Sequence, residues 1–153
     1  MSKFDFEDGK GLVAAHQHPN GGGWVADTAT VADTAYVGPN ARVFGNARVL
    51  GKARVSDNAQ VFDNTTISDY ALVSGNAQVS GNARVYGNAH VSCDVLIMDN
   101  AQVFGYARVF EDAWVYGTVC LSGNAQVFGY ARVNAGVYGD AQVFGDTRVY
   151  GFE

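Results

Sequence analysis

The sequence is short of the residues that hold most small proteins together or send them elsewhere. It has 2 Cys, Cys93 and Cys120, too few for a disulfide framework, so a reducing, cytosolic setting is the simpler reading. It has 2 Pro in 153 residues. No apolar run is long enough to cross a membrane, and the opening Met-Ser-Lys-Phe-Asp-Phe-Glu-Asp is acidic rather than signal-like. Lys and Arg number 10 against 15 Asp and Glu, a net charge of −5 with the basic residues thinly spread. That balance excludes both the footprint of a nucleic-acid binder and a polyacidic tail. Leu and Ile are few, so the abundant Ala does not come with the company that a helical protein keeps.

What the chain does have is Val, Ala and 19 Gly, arranged with a period of six. From Val25 to Val133 every sixth residue is a branched aliphatic, with Ile67, Ile97 and Leu121 the only changes from Val. One short step of four leads to Val137, and steps of six resume through Val143 and Val149. Two residues before each aliphatic stands a small or β-branched residue, such as Ala41, Ala59, Thr65, Ala83 or Val95. Residues i and i+2 of a strand face the same side, so each unit predicts a three-residue strand with both of these pointing inward. Pairs such as Gly45-Asn46, Asp57-Asn58, Gly81-Asn82 and Gly123-Asn124 follow as corners, because Gly, Asn and Asp tolerate the left-handed backbone region. The step of four predicts a local defect at Asn134 to Gly136, with Gly136 supplying backbone freedom. A period of six fits neither an α-helix nor a coiled coil. It fits a solenoid of short strands in which each coil pairs with its neighbours.

The segment Val37-Gly38-Pro39-Asn40-Ala41-Arg42 resembles the motif of the hexapeptide-repeat superfamily. The Asn-Ala-x-Val-x-Gly flavour is similar to a repeat-dense subgroup of phage and bacterial genomes. The resemblance covers residues 24 to 151 and implies a left-handed parallel β-helix of triangular coils, all-β, with trimers packed side by side. At three units per coil the expectation is about seven coils, roughly 35 Å long at ~4.8 Å per coil. Residues 1–23 break the repeat and are read as an N-terminal cap segment; 24–153 form the β-helix.

Outward residues of an 18-residue coil stack in columns. One face is expected to carry Trp24, Phe44, Phe62, Leu96, Met98, Trp114 and Tyr116, a second Leu50, Tyr86, Phe104 and Tyr138, a third Tyr36, Phe110, Phe128 and Phe144. Such columns can be cross-strand ladders with no partner. For the first face the oligomer-interface reading is preferred, because large apolar patches are rarely left wet.

Candidates for chemistry are sparse. The least regular repeat places His90 near Cys93-Asp94, where Gly-Asn would be expected. This is a candidate Cys–His or metal arrangement, against the plainer reading of repeat drift with no third orienting group. His16-Gln17-His18 has the alternate spacing of ligands on a strand, against the plainer reading of a turn entering the first coil. Acyltransferases of the resembling superfamily use a His at a subunit seam and an extruded loop, and the six-residue register admits no such loop. A row of carboxylates of the kind that would mimic DNA is represented only by Asp27, Asp63 and Asp99, with glycines between. The reading is therefore a non-enzymatic structural or binding solenoid without a cofactor. It self-assembles, as a trimer, or binds a partner through its flat faces. The alternatives are an acyltransferase-like enzyme with His90 as base, and a small-ligand or nucleotide binder with a site between subunits.

Overall fold

The computed structural model describes residues 2–150, so Met1 and the final Gly151-Phe152-Glu153, which the sequence reading assigned to the two segments, lie outside the described residues. The described chain is all-β, a solenoid of stacked parallel coils with about seven turns. Its strands fall into three sheets of ten, six and seven strands, each collecting every third strand of the solenoid. Trp24 pairs with Arg42, Thr30 with Arg48 and Tyr36 with Arg54, which sets one coil at 18 residues.

Most strands are two residues long rather than three: Arg48–Val49, Gln78–Val79 and Arg108–Val109 are typical. The small residue before each pair still faces inward, but it sits where the chain is leaving the corner. From Ala41 through Val133 the small and aliphatic inward positions are buried and form one core. Each enclosed Val contributes roughly 1.5 kcal/mol or more by leaving water. Thr65 fits among the alanines because its hydroxyl donates to Phe62 O at 2.7 Å, so no polar group is stranded. Between coils, outward residues donate to the carbonyls of the next coil: Arg48 N–H to Thr65 O at 2.9 Å, Leu50 N–H to Ile67 O at 2.8 Å.

The left-handed backbone sits on the first corner residue and not on the Asn after it. It includes Asp57, Asp63, Asp69 and Asp99 at φ of 56° to 60°, Cys93 at 64° and Glu111 at 62°. A residue with a Cβ is costly there, and the acidic ones have a compensation. Asp57 accepts the Gly75 N–H at 3.0 Å, Asp63 that of Gly81 at 3.1 Å, Asp69 that of Gly87 at 3.0 Å, Asp99 that of Gly117 at 3.0 Å and Glu111 that of Gly129 at 2.7 Å. Each carboxylate therefore ties its corner to the corner one coil on. Alternation of Asp and Gly in a corner column is a structural device, and it accounts for Asp63 and Asp99.

Residues 3–17 form a hairpin, β1 (Lys3–Asp5) antiparallel to β2 (Leu12–Gln17), and β2 lies antiparallel on β3 (Trp24–Ala26), the first strand of the ten-stranded sheet's parallel stack. Phe4 stacks on Trp24 at 4.8 Å and Phe6 on Phe44 at 4.9 Å, and Phe44 stacks in turn on Phe62 at 4.9 Å. Arg42 reaches Glu7 at 3.4 Å across the same junction. The chain then crosses the leading edge of the seven-stranded sheet, where Gly23 N–H donates to Val37 O at 2.9 Å.

The short step leaves a coil two residues smaller. Gln126 pairs with Gln142 and Val133 with Val149, and the Asn124–Asp140 bond spans 16 residues. The strand Arg132–Asn134 runs one residue longer, and Val137 makes only an isolated bridge to Leu121. Gly136 differs from expectation: its φ is not left-handed. Its contribution is clearance, since a Cβ there would lie 2.0 Å from the Tyr138 hydroxyl.

The corner geometry separates two glycines. Gly81 has φ +68° and a Cβ there would lie 2.8 Å from the Asp99 backbone N, whereas Gly139, at φ +62°, has open space. Gly139→Ala should cost about 1 kcal/mol and Gly81→Ala about 2 kcal/mol or more, since only the latter adds a clash to the left-handed penalty. Urea denaturation of both variants checks this; equal losses would contradict it.

Candidate functional site

The residues expected on the first face do share it. Trp24, Leu96 and Trp114 stand on strands of the ten-stranded sheet, and Phe44, Phe62, Met98 and Tyr116 follow its strands by one residue. They do not form one open patch. Phe44 is 6 % exposed because Phe6 covers it, and Trp24 and Phe62 pack in the same cluster with Phe4, Val13 and Ala15. That removes Phe44 from the open face, and nothing in the repeat signals it because the hairpin pairs antiparallel with no repeat register. Leu96, Met98, Trp114 and Tyr116 remain uncovered by the hairpin, with Trp114 37 % exposed and the Arg132 guanidinium 4.4 Å from its ring centre. Burial raises the Tyr116 hydroxyl above its ordinary value, and neighbouring Tyr150 raises it further, so it remains a neutral donor well above neutral pH.

On the third face, His90 stands between Leu72 and Arg108 in its column. Together with Ser92, Cys93, Arg108 and Phe110 it lines a shallow depression of about 340 Å³. Cys93 is exposed at its corner, and its Sγ lies 3.9 Å from Ser92 Oγ. Asp94 turns the other way and accepts from Asn76 Nδ2 at 3.0 Å. His90 and Cys93 are thus brought to one depression, and Asp94 is not aligned with them. Cys120 lies on the second face, in the strand Cys120–Leu121.

His16 and His18 part company. His16 is exposed and its Nδ1 lies 2.8 Å from Asp27 Oδ1, the acidic neighbour that the sequence did not reveal. His18 is 3 % exposed; its Nε2 donates to Ala35 O at 2.9 Å, a carbonyl that also accepts from Asn20 at 2.9 Å. The first hydrogen-bonds from the hairpin to Asp27 and the second fastens the crossing segment to the first coil, so the two are not arranged as a ligand pair. Among the described residues no group of three or more His, Cys, Asp or Glu could hold a metal ion.

Sequence reasoning missed a depression on the second face. Arg48, Thr66, Ser68, Arg84 and Tyr86 line about 470 Å³ there. The signal was available: in two adjacent outward columns the side chain becomes short at the same coil.

The YdcK β-solenoid repeat model matches residues 41–57 and 77–92, each close to one coil in length. The chain is a β-helix repeat protein. No match is found among curated proteins or among solved structures. No helix among the described residues is long and apolar enough to cross a membrane.

The two histidine environments separate cleanly by stability. His18→Ala should cost about 1 to 3 kcal/mol by leaving a buried carbonyl with one donor fewer, and should raise hydrogen exchange at Val37. His90→Ala, on an exposed column, should stay within about 0.5 kcal/mol of the parent. Thermal melts of the two variants compare them directly, and the reverse order would contradict these assignments.

Proposed function

We propose that this protein is a rigid, non-catalytic solenoid that self-associates through its first face, as a homotrimer. The observation that carries this reading is the run Leu96, Met98, Trp114 and Tyr116, with Trp114 exposed and the others half-buried, on a flat face whose earlier aromatics pack with the hairpin. Of the aromatics more than half exposed, Tyr106, Tyr130, Tyr138, Phe144 and Tyr150 lie in the same half of the molecule and Tyr70 lies in the other. A flat parallel sheet face presents such side chains at fixed ~4.8 Å intervals, so ordering them on association costs little entropy. The six-residue unit supports placing the chain with hexapeptide-repeat proteins, wound left-handed, of the kind carried by phage and bacterial genomes. Its cysteine usage supports a cytoplasmic setting.

A second reading has one observation in its favour. His90, Ser92, Cys93 and Arg108 share a depression, which an acyltransferase-like enzyme could use with His90 as base. Acetyl transfer to amines and hydroxyls that His90→Ala abolishes would select this reading over the first.

Light scattering on the full chain at micromolar concentration should return a trimer. Met98→Glu with Trp114→Glu should give monomers that keep the β signal in circular dichroism, because both side chains point away from the Val–Ala core. A clean monomer for the parent would overturn the proposal.

A further inference from the structure

The second face has one rung of short side chains. One of its outward columns runs Arg48, Thr66, Arg84, Gln102 in register. The neighbouring column, one residue past each strand, runs Leu50, Ser68, Tyr86, Phe104. At the coil of Ile67 both columns shrink to hydroxyl side chains, while long side chains stand on the coils to either side. The result is the depression of about 470 Å³ lined by Arg48, Thr66, Ser68, Arg84 and Tyr86.

Its two halves differ in chemistry. On the Thr66 side, two arginines flank one hydroxyl, their backbones roughly 9.6 Å apart at two coil spacings. Neither guanidinium has a hydrogen bond, ion pair or ring contact among the described residues; the ion pairs there are His16–Asp27 and Arg42–Glu7. The nearby Asp69 carboxylate is committed to the Gly87 N–H at 3.0 Å. Two planar forks of donors facing a shared gap suit an oxyanion such as phosphate. On the Ser68 side the wall is a ring. Tyr86 stacks on Phe104 at 4.9 Å with planes 5° apart, and its hydroxyl donates to Gln102 Oε1 at 3.3 Å. Those contacts fix the ring and leave its other face turned to the Ser68 coil, where one coil spacing is the stacking distance of a further ring.

We propose that this rung binds a phosphate monoester that carries a planar ring, the phosphate between Arg48 and Arg84 and the ring continuing the Tyr86–Phe104 stack over Ser68. The two half-sites lie about 6.6 Å apart, two residues along a strand, close to the length of an aryl phosphate from its outer phosphate oxygens, where the arginines would donate, to the far edge of its ring. The site lies within one chain and does not depend on self-association.

The test is nuclear magnetic resonance titration of the full chain with phenyl phosphate, inorganic phosphate and phenol in parallel. Phenyl phosphate should give saturable shifts at Thr66, Ser68 and Tyr86, and inorganic phosphate should bind the same residues about tenfold more weakly, the value of one ring stack. Phenol alone should give no saturation. Arg48→Gln with Arg84→Gln should abolish the response, and Arg108→Gln on the third face should retain it. Ser68→Phe should block phenyl phosphate by filling the rung with the protein's own ring, while the β signal in circular dichroism is unchanged. Equal affinity for phosphate and phenyl phosphate would overturn the ring half of the site. No saturable shift, or one that survives loss of both arginines, would overturn the site altogether.

Discussion

The backbone hydrogen bond from one coil to the next is the contact on which everything else in this molecule rests. Arg48 N–H to Thr65 O, Leu50 N–H to Ile67 O and their repeats hold each coil to the next. A strand of two residues has no stability of its own, and a Val–Ala interior is thin for a chain this size. Stacking solves both problems, since every strand away from the ends is paired on two sides and every inward Val meets the Val of adjacent coils. The corners share the task. Carboxylates at Asp57, Asp63, Asp69, Asp99 and Glu111 add a bond parallel to the ladder, with the later coil's Gly N–H donating back to the earlier coil. Inward positions admit few substitutions under this constraint, and outward positions are left free to vary.

That freedom is where recognition can be written. Side chains on a flat sheet are presented in columns whose spacing is set by the backbone, so their chemistry changes face by face without disturbing the core. The first face carries apolar side chains past the hairpin, the second a gap between two arginines beside a fixed ring, the third a histidine and a cysteine over a shallow floor. In self-association and in ligand binding alike the solenoid acts as a rigid ruler, and only the face differs.

The core was legible in the sequence because its signal is periodic: Val every sixth residue and a small residue two before it admit one arrangement of inward and outward positions. The step from Val133 to Val137 was legible for the same reason, although Gly136 proved to give space to Tyr138 and not a left-handed turn. Everything that depends on pairing outside the repeat was hidden. Phe6 over Phe44, His16 against Asp27 and His18 on Ala35 O join residues with no shared register. The corner carboxylates were visible as a column but not as bonds, because the donor for each is set by which backbone N–H lies one coil away. The gap at Thr66 and Ser68 was readable in principle, as two short side chains in adjacent columns, once the columns were ordered by coil.

If the coil is the unit of stability, then one whole coil can be removed. Deleting residues 66–83 joins Thr65 to Arg84 and keeps inward, outward and corner positions in phase, with Leu50 N–H now meeting Val85 O. Residue-resolved hydrogen exchange on this shortened chain is the direct test. The account expects a folded protein with a single cooperative transition and continued protection of the Arg48, Leu50 and Lys52 amides across the new junction. Loss of protection on both sides of the junction would show that the solenoid is not built of interchangeable coils and would contradict the account.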